Sequence, residues 1–366
     1  MVLLLLLLMM ETPSASWEYT ETEIFGTLYR DEVALHSESG DLFILSFDEA
    51  KVTVLNANGA VSRTFGQKGD GPGEMTFPTS IRLHDDVLYI QDVLTTSLSI
   101  FTVQGDFIKR QVLPGRDLPV VKSNGGWFYG NWHTFKTENG IVFRAEEAFE
   151  NPQQVRLFKD PGYAGGATTW VVGGKARSWC SPLTNWPMLR TSPDGALVYV
   201  TNPNAPSIDV FDAQGKRVRT ITLNDKPIPF DEEWAKEEMA ENLEILKKQE
   251  PNAELVIPRP KYFPFIRDLV VMPDGKLVVD RWRGRPKNNH HPITLDSKGN
   301  TIKDGYDWDV AVRLIGFHGE HAYVRIYDAD EEMGGVARVS KSDLAAYIKA
   351  NPMPEEPRPR PISFSE

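Results

Sequence analysis

Short apolar segments recur along this chain, and a turn separates each one from the next. Segments such as VLYI at 87–90, LSIF at 98–101 and IDVF at 208–211 have the length of β-strands. The turns between them, such as SPDG at 192–195 and MPDG at 272–275, contain residues that tolerate the dihedral angles of tight hairpins. The pattern predicts antiparallel sheets made of short consecutive strands.

The segments fall into repeated groups of four strands, and a glycine-containing turn marks the same place in several groups. Gly59 and Gly105 occupy that place 46 positions apart, which sets the repeat length. Short antiparallel units of this kind are typical of propeller blades, so the predicted fold is an all-β, six-bladed β-propeller of four-stranded antiparallel blades. The six predicted units lie at 24–66, 71–113, 118–159, 178–223, 262–305 and 310–342.

The two ends of the chain are predicted to meet in one blade. Residues 17–24, WEYTETEI, alternate large or apolar residues with polar ones, as an edge strand does. The sixth unit ends with VARV at 336–339 and is short of one strand, so we expect the N-terminal strand to complete it. This closure would remove free sheet edges, which invite aggregation. The propeller then spans 17–349, and the Pro-rich segment 350–366 is a C-terminal tail.

A helical insertion interrupts the repeats at about 229–252. Its acidic residues come early and its lysines late, and Trp234, Met239, Leu243 and Leu246 lie near helical spacing. This order of charges matches the helix dipole, so the segment predicts an amphipathic helix that packs on one rim of the sheets. A second short helix is predicted at 342–349.

The glycine-rich segment FGQKGDGPGEMTFP at 65–78 raises the question of whether it binds a phosphate. It continues into a strand and does not end in Gly-Lys-Ser/Thr before a helix, so it is not a P-loop. We interpret it as a crossover between blades, where glycine supplies positive φ angles. With LYIQD and LSIFTVQGDF, which follow it, the segment resembles the NHL-type repeats and the related bacterial six-bladed β-propeller proteins. The resemblance implies a propeller whose relatives are protein-binding, ligand-binding or occasionally catalytic modules.

Composition and the N-terminal segment bear on the partners of the protein and on its cellular location. The chain of 366 residues has a formal net charge of −11, which argues against a nucleic-acid binder. The run MVLLLLLLMM at its start is too short to span a bilayer but suits a secretory signal. We expect a signal peptide at 1–16 and an extracytoplasmic protein, periplasmic or secreted; the alternative is a misassigned start on a cytoplasmic protein. The one cysteine, Cys180, is interpreted as a small buried residue.

The candidate ligand site lies on the channel face that gathers the loops before the first strands and the loops between second and third strands. A concave apolar mouth with a few polar groups is the usual form of a ligand site. The alternative roles are wedging of aromatic rings between blades and capping of turns by carboxylates. The residues predicted at this face are Phe77, Trp186, Phe263, Asp92, Asn202 and Asp280.

Arginines extend this candidate site. Arg82 and Arg190 hold equivalent places before the turns of their units, and Arg267 and Arg313 lie nearby in theirs. Inward guanidinium groups suit a carboxylate or phosphate ligand, whereas pairing with acidic residues of a neighbouring blade is the structural alternative.

A basic segment at 281–291 stands out in an acidic protein. Its Arg281 and Trp282 suit a docking patch for an anionic partner or a glycan, and a solvated loop is the alternative. His36, His84 and His318 each end a first strand and could hold a metal together, although exposed turn histidines explain them more simply.

These features predict a binding protein rather than an enzyme. The chain contains neither a Gly-x-Ser-x-Gly nor a His-Glu-x-x-His motif. We therefore expect an exported, monomeric binding module without a cofactor, whose partner is a small molecule, a glycan or a protein. One alternative is a metal-dependent hydrolase or lyase that holds Ca or Zn in the channel. The other is a structural scaffold that makes its contacts through the helical insertion.

Overall fold

A computed structural model describes the chain from its first predicted strand to its last predicted helix, with gaps. The greater part of the predicted signal peptide and the end of the predicted tail lie outside the described residues. The described ranges are 15–21, 33–114, 120–131, 139–146, 149, 152–159, 167–172, 175–180, 187–202, 205–226, 228–249, 254–256, 262–263, 265–281, 291–304, 308–328 and 333–352.

Short strands follow one another through these ranges, as the hydrophobic pattern predicts. The first group is β1 (Trp17–Glu21), β2 (Val33–Leu35), β3 (Leu42–Ser46), β4 (Lys51–Leu55), β5 (Val61–Phe65), β6 (Pro78–His84), β7 (Val87–Asp92), β8 (Ser97–Thr102), β9 (Phe107–Val112), β10 (Val120–Ser123), β11 (Gly126–Asn131), β12 (Asn139–Ala145) and β13 (Gln153–Lys159). The second group is β14 (Ala167–Val172), β15 (Lys175–Cys180), β16 (Leu189–Thr191), β17 (Leu197–Thr201), β18 (Ser207–Asp212), β19 (Arg217–Thr222), β20 (Glu254–Val256), β21 (Ile266–Val271), β22 (Leu277–Arg281), β23 (Pro292–Leu295), β24 (Thr301–Asp304), β25 (Leu314–His318), β26 (His321–Asp328) and β27 (Met333–Ser340).

Six four-stranded antiparallel sheets within the described ranges are the blades of a six-bladed β-propeller, which confirms the predicted fold class. The chain divides into two compact units, residues 1–112 with 309–366 and residues 113–308. The first unit contains the sheets β2-β3-β4-β5, β6-β7-β8-β9 and β25-β26-β27-β1. The second unit contains β10-β11-β12-β13, β16-β17-β18-β19 and β21-β22-β23-β24.

The N-terminal strand completes the last blade, as the sequence predicts. Strand β1 pairs antiparallel with β27, and Trp17 lies opposite Arg338 in that ladder. The Trp17 ring packs edge-on against Tyr323 of the same sheet, with ring centroids 5.9 Å apart. The hydroxyl of Tyr347, in the C-terminal helix, donates a hydrogen bond to Glu18. Both chain ends therefore meet in one blade of the first unit.

The second unit contains an additional sheet that the repeat pattern does not predict. Strand β14 pairs with β15 on one side and with β20 on the other. The fourth predicted unit began at residue 178, but β15 belongs to this additional sheet and the blade begins at Leu189. This sheet has three strands and lies outside the four-strand repeat, so the repeat length does not reveal it.

Three helices are defined in the described ranges: α1 (Glu232–Gln249), α2 (Trp308–Arg313) and α3 (Leu344–Ala350). Helix α1 forms in the predicted insertion, and Asp231 caps it by accepting the Trp234 N–H at 3.0 Å. Helix α3 matches the second predicted helix. None of the described helices combines the length and the apolar character that a membrane crossing requires.

The middle strands of the blades are buried on both faces, which explains their continuous apolar sequences. All residues of β3 are buried, as are all but the last residues of β8 and β18. The outer strands β5 and β9 are largely accessible and leave Val61 and Val112 exposed. A sheet that is covered on both sides needs apolar side chains on both faces, whereas an edge strand does not.

A recurring hydrogen bond joins successive blades within each unit. A side chain from one blade donates to a backbone carbonyl in the turn between the third and fourth strands of the next blade. Each accepting residue lies two positions before a turn glycine with positive φ. The pairs are Trp17 with Ala57 at 3.1 Å, Arg63 with Val103 at 2.5 Å, Arg144 with Ala213 at 3.0 Å, and Arg219 with Ser297. We call these contacts the blade clamps.

Candidate ligand-binding site

The glycine-rich segment holds a carboxylate of its own. Glu74 accepts hydrogen bonds from the Gly71 N–H at 2.8 Å and from the Gln67 amide at 2.7 Å. The hydrogen bond from Gly71, followed by the one from Gln67, holds the pKa of Glu74 below its usual value. Arg110 donates to the carbonyl oxygens of Asp70, Gly71 and Glu74. The Gly71 N–H that a phosphate would need is therefore taken, and the segment is a folded crossover that leads into β6.

Asp92 organises the loop before β6. Its carboxylate accepts hydrogen bonds from the backbone N–H groups of Thr76 at 2.6 Å, Phe77 at 3.0 Å and Thr95 at 3.0 Å. The Phe77 ring packs edge-on against Phe47 of the preceding blade, with centroids 3.9 Å apart. In the structure Asp92 therefore caps a turn, and Phe77 packs as a wedge between two blades. These are the alternatives to ligand contact that the sequence left open. Contact of either with a ligand stays a prediction.

Two predicted arginines lie on the first strands of adjacent blades in the second unit. Arg190, on β16, donates to the Leu269 carbonyl at 3.1 Å and lies 3.6 Å from Asp268. Arg267, on β21, lies 3.7 Å from the buried Asp280. The arginine side chains remain 33% and 28% exposed, respectively. Because close charge-assisted bonds are about 2.7–2.9 Å long, both ion pairs are loose.

The predicted aromatic residue of the same unit serves packing. Phe263 is 3% exposed, and its ring lies 5.1 Å from that of Phe230 and 5.3 Å from that of Trp234. This cluster fixes the start of α1 to the segment before β21. Trp186 and Trp282, the other two predicted aromatic residues of this unit, lie outside the described residues.

Backbone contacts hold three further predicted residues. Arg281 donates from Nε to the His291 carbonyl at 3.0 Å, and Asp280 accepts the His291 N–H at 2.8 Å. These bonds join the two ends of the predicted basic segment, whose residues 282–290 lie outside the described ranges. Asn202 donates its backbone N–H to the Ser207 carbonyl at 2.8 Å, at the corresponding turn of the preceding blade.

The two arginines predicted in the first unit occupy different environments. Arg82 lies on β6, half-buried, opposite Tyr89 of β7. Arg313 lies on α2 and is 2% exposed. It donates to the carbonyl oxygens of Arg325 at 2.9 Å and Asn351 at 2.5 Å, so its guanidinium stabilises the C-terminal end of α3.

The three turn histidines each contact a neighbouring turn or their own. Among the described residues, no group of histidine, cysteine and carboxylate side chains is arranged to hold a metal ion. The contacts are His36 Nε2 with Asp86 Oδ1 at 2.7 Å, His84 Nε2 with Asp85 Oδ2 at 3.3 Å, and His318 Nδ1 with the Ser37 carbonyl at 2.8 Å.

A groove opens between the first two blades, at the strand ends opposite the Phe77 loop. Its volume is about 270 Å³. Within it, Arg63 pairs with Asp41 at 3.3 Å. Among the sequence predictions, only the candidate metal group that includes His36 pointed to this side, and none predicted a ligand groove here. The segment HSESGD at 36–41 places this histidine with serines and two acidic residues in one hairpin. The lining residues are His36, Ser39, Asp41, Arg63, Val103 and Gln104.

Comparisons with known proteins support the fold. Neither a family model nor a curated protein matches the chain. A member of the DUF4221 family from Bacteroides vulgatus is 10% identical with a TM-score of 0.50, over 89% of this chain and 97% of its own. A candidate exported protein from Bacteroides fragilis is 13% identical with a TM-score of 0.49, over 90% of this chain and 97% of its own. At 10% identity the likeness to the DUF4221 member shows the fold alone, and the NHL-type assignment stays a resemblance.

Proposed function

We propose that this protein is an exported β-propeller that acts as a binding module for a small ligand, a glycan or a segment of a partner protein. The groove of about 270 Å³ between the first two blades is the observation that supports this function best. Small-molecule sites are clefts of about this size or larger, with a few polar groups that fix the ligand's orientation.

The groove offers both hydrogen-bond donors and acceptors. Arg63 supplies a cation, Asp41 supplies an anion, and their side chains are 31% and 23% exposed. Ser39 and Gln104 add groups that can donate and accept, while Val103 supplies an apolar wall. This mixture favours a hydroxylated small molecule, such as a sugar or a sugar acid, over a purely apolar or strongly charged ligand.

Binding in the groove can be tested by thermal shift with glucose, N-acetylglucosamine, galacturonate and gluconate as probes. We expect at least one probe to raise the unfolding temperature of the full chain, because a ligand that binds the folded state stabilises it by mass action. The blocking variant is Gln104→Trp, which places an indole in the groove. The matched control is Gln214→Trp, at the corresponding exposed turn position of the second unit.

The two variants decide the outcome. A shift that is lost in Gln104→Trp and kept in Gln214→Trp supports the groove. If no probe shifts the wild type, or if both variants keep the shift, the groove is not the binding site.

The channel face predicted from the sequence is the second candidate surface, and the partly exposed side chains of Arg190 and Arg267 favour it. We expect Arg82→Ala and Arg190→Ala to weaken binding of an anionic probe such as galacturonate while the fold survives. Unchanged binding in both variants would remove the arginine proposal. Elemental analysis of the purified protein tests the metal-dependent alternative, which needs stoichiometric Ca or Zn.

Export is proposed from the apolar run at residues 1–10. We expect the mature protein, isolated from the periplasm or the medium, to begin near Trp17. Recovery of the chain in the cytoplasm with Met1 intact would contradict export.

A further inference from the structure

One edge of the groove carries a hydrogen-bonded chain of serine, histidine and aspartate. Ser39 Oγ lies 2.8 Å from His36 Nδ1, and His36 Nε2 lies 2.7 Å from Asp86 Oδ1. Ser39 and His36 belong to the hairpin between β2 and β3, whereas Asp86 comes from the hairpin between β6 and β7 of the next blade. These are the side-chain types of a nucleophile, its base and the group that orients the base.

Neighbouring N–H groups assign the protons along this chain. The backbone N–H of Ser39 donates to His36 Nδ1 at 3.3 Å, so Nδ1 is the acceptor and Nε2 carries the proton that Asp86 accepts. The backbone N–H of Asp41 donates to Ser39 Oγ at 3.1 Å. The serine hydroxyl proton is therefore directed to Nδ1, and the hydroxyl faces an unprotonated imidazole nitrogen.

Asp86 reaches His36 from a hairpin turn in which two consecutive residues have positive φ angles. Asp85 and Asp86 have φ angles of +48° and +58°, in the left-handed region. Hairpins of this kind favour glycine at the second position, and glycine there would remove the carboxylate that contacts His36. Aspartate adopts positive φ angles more readily than most non-glycine residues, so this turn can carry the carboxylate that contacts His36.

We propose that Ser39, His36 and Asp86 hydrolyse small carboxylic esters in this groove. Ser39 Oγ attacks the ester carbonyl carbon while its proton passes to His36 Nδ1. The bond to the alcohol oxygen then breaks, and Nδ1 returns the proton to that oxygen. A water molecule attacks the acyl group on Ser39, and its proton passes through Nδ1 to Ser39 Oγ as the carboxylic acid leaves. Asp86 is a positioning residue that holds the imidazole in the required tautomer.

The groove offers space for a small ester and a cation in its lining. Its volume of about 270 Å³ admits a small ester beside Ser39, and Arg63 lines the same space. A fixed cation near the carbonyl stabilises the negative charge that develops on its oxygen. This inference rests on the proposed function, because the groove must first bind the ester.

The neighbouring turn provides an internal control. His84 also contacts an aspartate, Asp85, at 3.3 Å, but this pair does not line the groove. Changes at Asp85 therefore alter the charge of the same hairpin without touching the contact between His36 and Asp86.

The test uses the full chain, p-nitrophenyl acetate as substrate and a fluorophosphonate as a covalent probe. We expect Ser39→Ala to lower kcat/KM about 100-fold, since nucleophile and base act as one unit. Peptide mass spectrometry of the labelled wild type should find the phosphonate on Ser39, which requires no variant to fold. Asp86→Asn should slow labelling at least about tenfold at an unchanged unfolding temperature, whereas Asp85→Asn should not.

Three results would overturn the inference: no label on Ser39, label on another residue alone, or ester hydrolysis that Ser39→Ala leaves unchanged. Equal effects of Asp86→Asn and Asp85→Asn would remove the positioning role of Asp86. If a sugar probe still binds the groove while no ester is hydrolysed, this inference fails and the proposed binding function stands. If neither occurs, both fail.

Discussion

Closure of the last blade depends on the side chain of Trp17, and Trp17→Ala tests that dependence. The indole N–H donates to the Ala57 carbonyl at 3.1 Å, the ring packs edge-on against Tyr323 at 5.9 Å, and Gly59 lies against it. The truncation removes all three contacts but leaves the backbone ladder between β1 and β27 in place. We expect the N-terminal strand to detach more readily and the first unit to lose stability.

The contacts of Trp17 determine how much the free energy of unfolding should fall in Trp17→Ala. One net hydrogen bond contributes about 1 kcal/mol, and an edge-on aromatic pair contributes about 1 kcal/mol. Trp17 is half-buried, so lost burial adds about half of the roughly 3 kcal/mol of a fully buried large side chain. Together these give a loss of about 3.5 kcal/mol in the free energy of unfolding, in the lower part of the range for aromatic-to-alanine changes in cores.

Equilibrium urea unfolding followed by far-ultraviolet circular dichroism measures this loss. Trp17→Phe is the matched variant, because it keeps most of the ring packing and removes the indole N–H, so it should lose about 1 kcal/mol. Limited proteolysis should remove the N-terminal strand from the Trp17→Ala protein earlier than from the wild type. A loss below about 0.5 kcal/mol in Trp17→Ala would refute the view that this side chain holds the closing strand.

Two further predictions concern the glycine turn and the glycine-rich loop. A Cβ on Gly105 would lie 2.7 Å from the Phe65 ring, whereas a Cβ on Gly275, which has a similar positive φ, would meet nothing within 4 Å. Gly105→Ala should therefore lower the free energy of unfolding, measured in urea, by about 1 kcal/mol more than Gly275→Ala does. Equal losses would contradict the close approach of the blades. The pKa of Glu74 is lowered in the folded protein, so its carboxylate stabilises the fold fully at pH values above the ordinary pKa of 4.5. This stabilisation is lost as the pH falls through the pKa of the folded state. The difference in unfolding temperature between the wild type and Glu74→Gln should therefore shrink from neutral to acidic pH, and a constant difference would contradict it.

The blades could be predicted because each uses local signals. Hairpin turns need particular residues, and strands that are buried on both faces need continuous apolar runs, so both are visible in the sequence. The closing strand was predictable for a different reason: the sixth unit lacked one strand and WEYTETEI at 17–24 had no other sheet to join. The additional sheet was not predictable, because β20, which follows helix α1, pairs with β14, which precedes the whole fourth blade. A local pattern of apolar residues and turns does not indicate a pairing between strands so far apart in the sequence.

The candidate site was much less predictable than the fold. Residue type and place in the repeat identified Arg190 and Arg267, but not that Asp268 and Asp280 lie beside them. The groove depends on contacts between turns of different blades. In particular, the contact of His36 with Asp86 spans fifty positions, about one repeat length. The period therefore predicts that the two hairpins are neighbours, but it does not indicate which of their side chains meet.

The blade clamps explain why the groove lies where it does. Arg63 of the first blade donates to the Val103 carbonyl, which lies in the turn between β8 and β9 of the second blade. This hydrogen bond holds that turn beside the hairpin between β2 and β3, and both line the groove. The same guanidinium lines the groove and pairs with Asp41, so it contributes to stability and to the proposed ligand contacts together. An Arg63 substitution would change both properties and could not separate them. Gln104 and Ser39 line the groove without forming a clamp, and for that reason they are the positions at which binding and hydrolysis can be tested independently of blade packing.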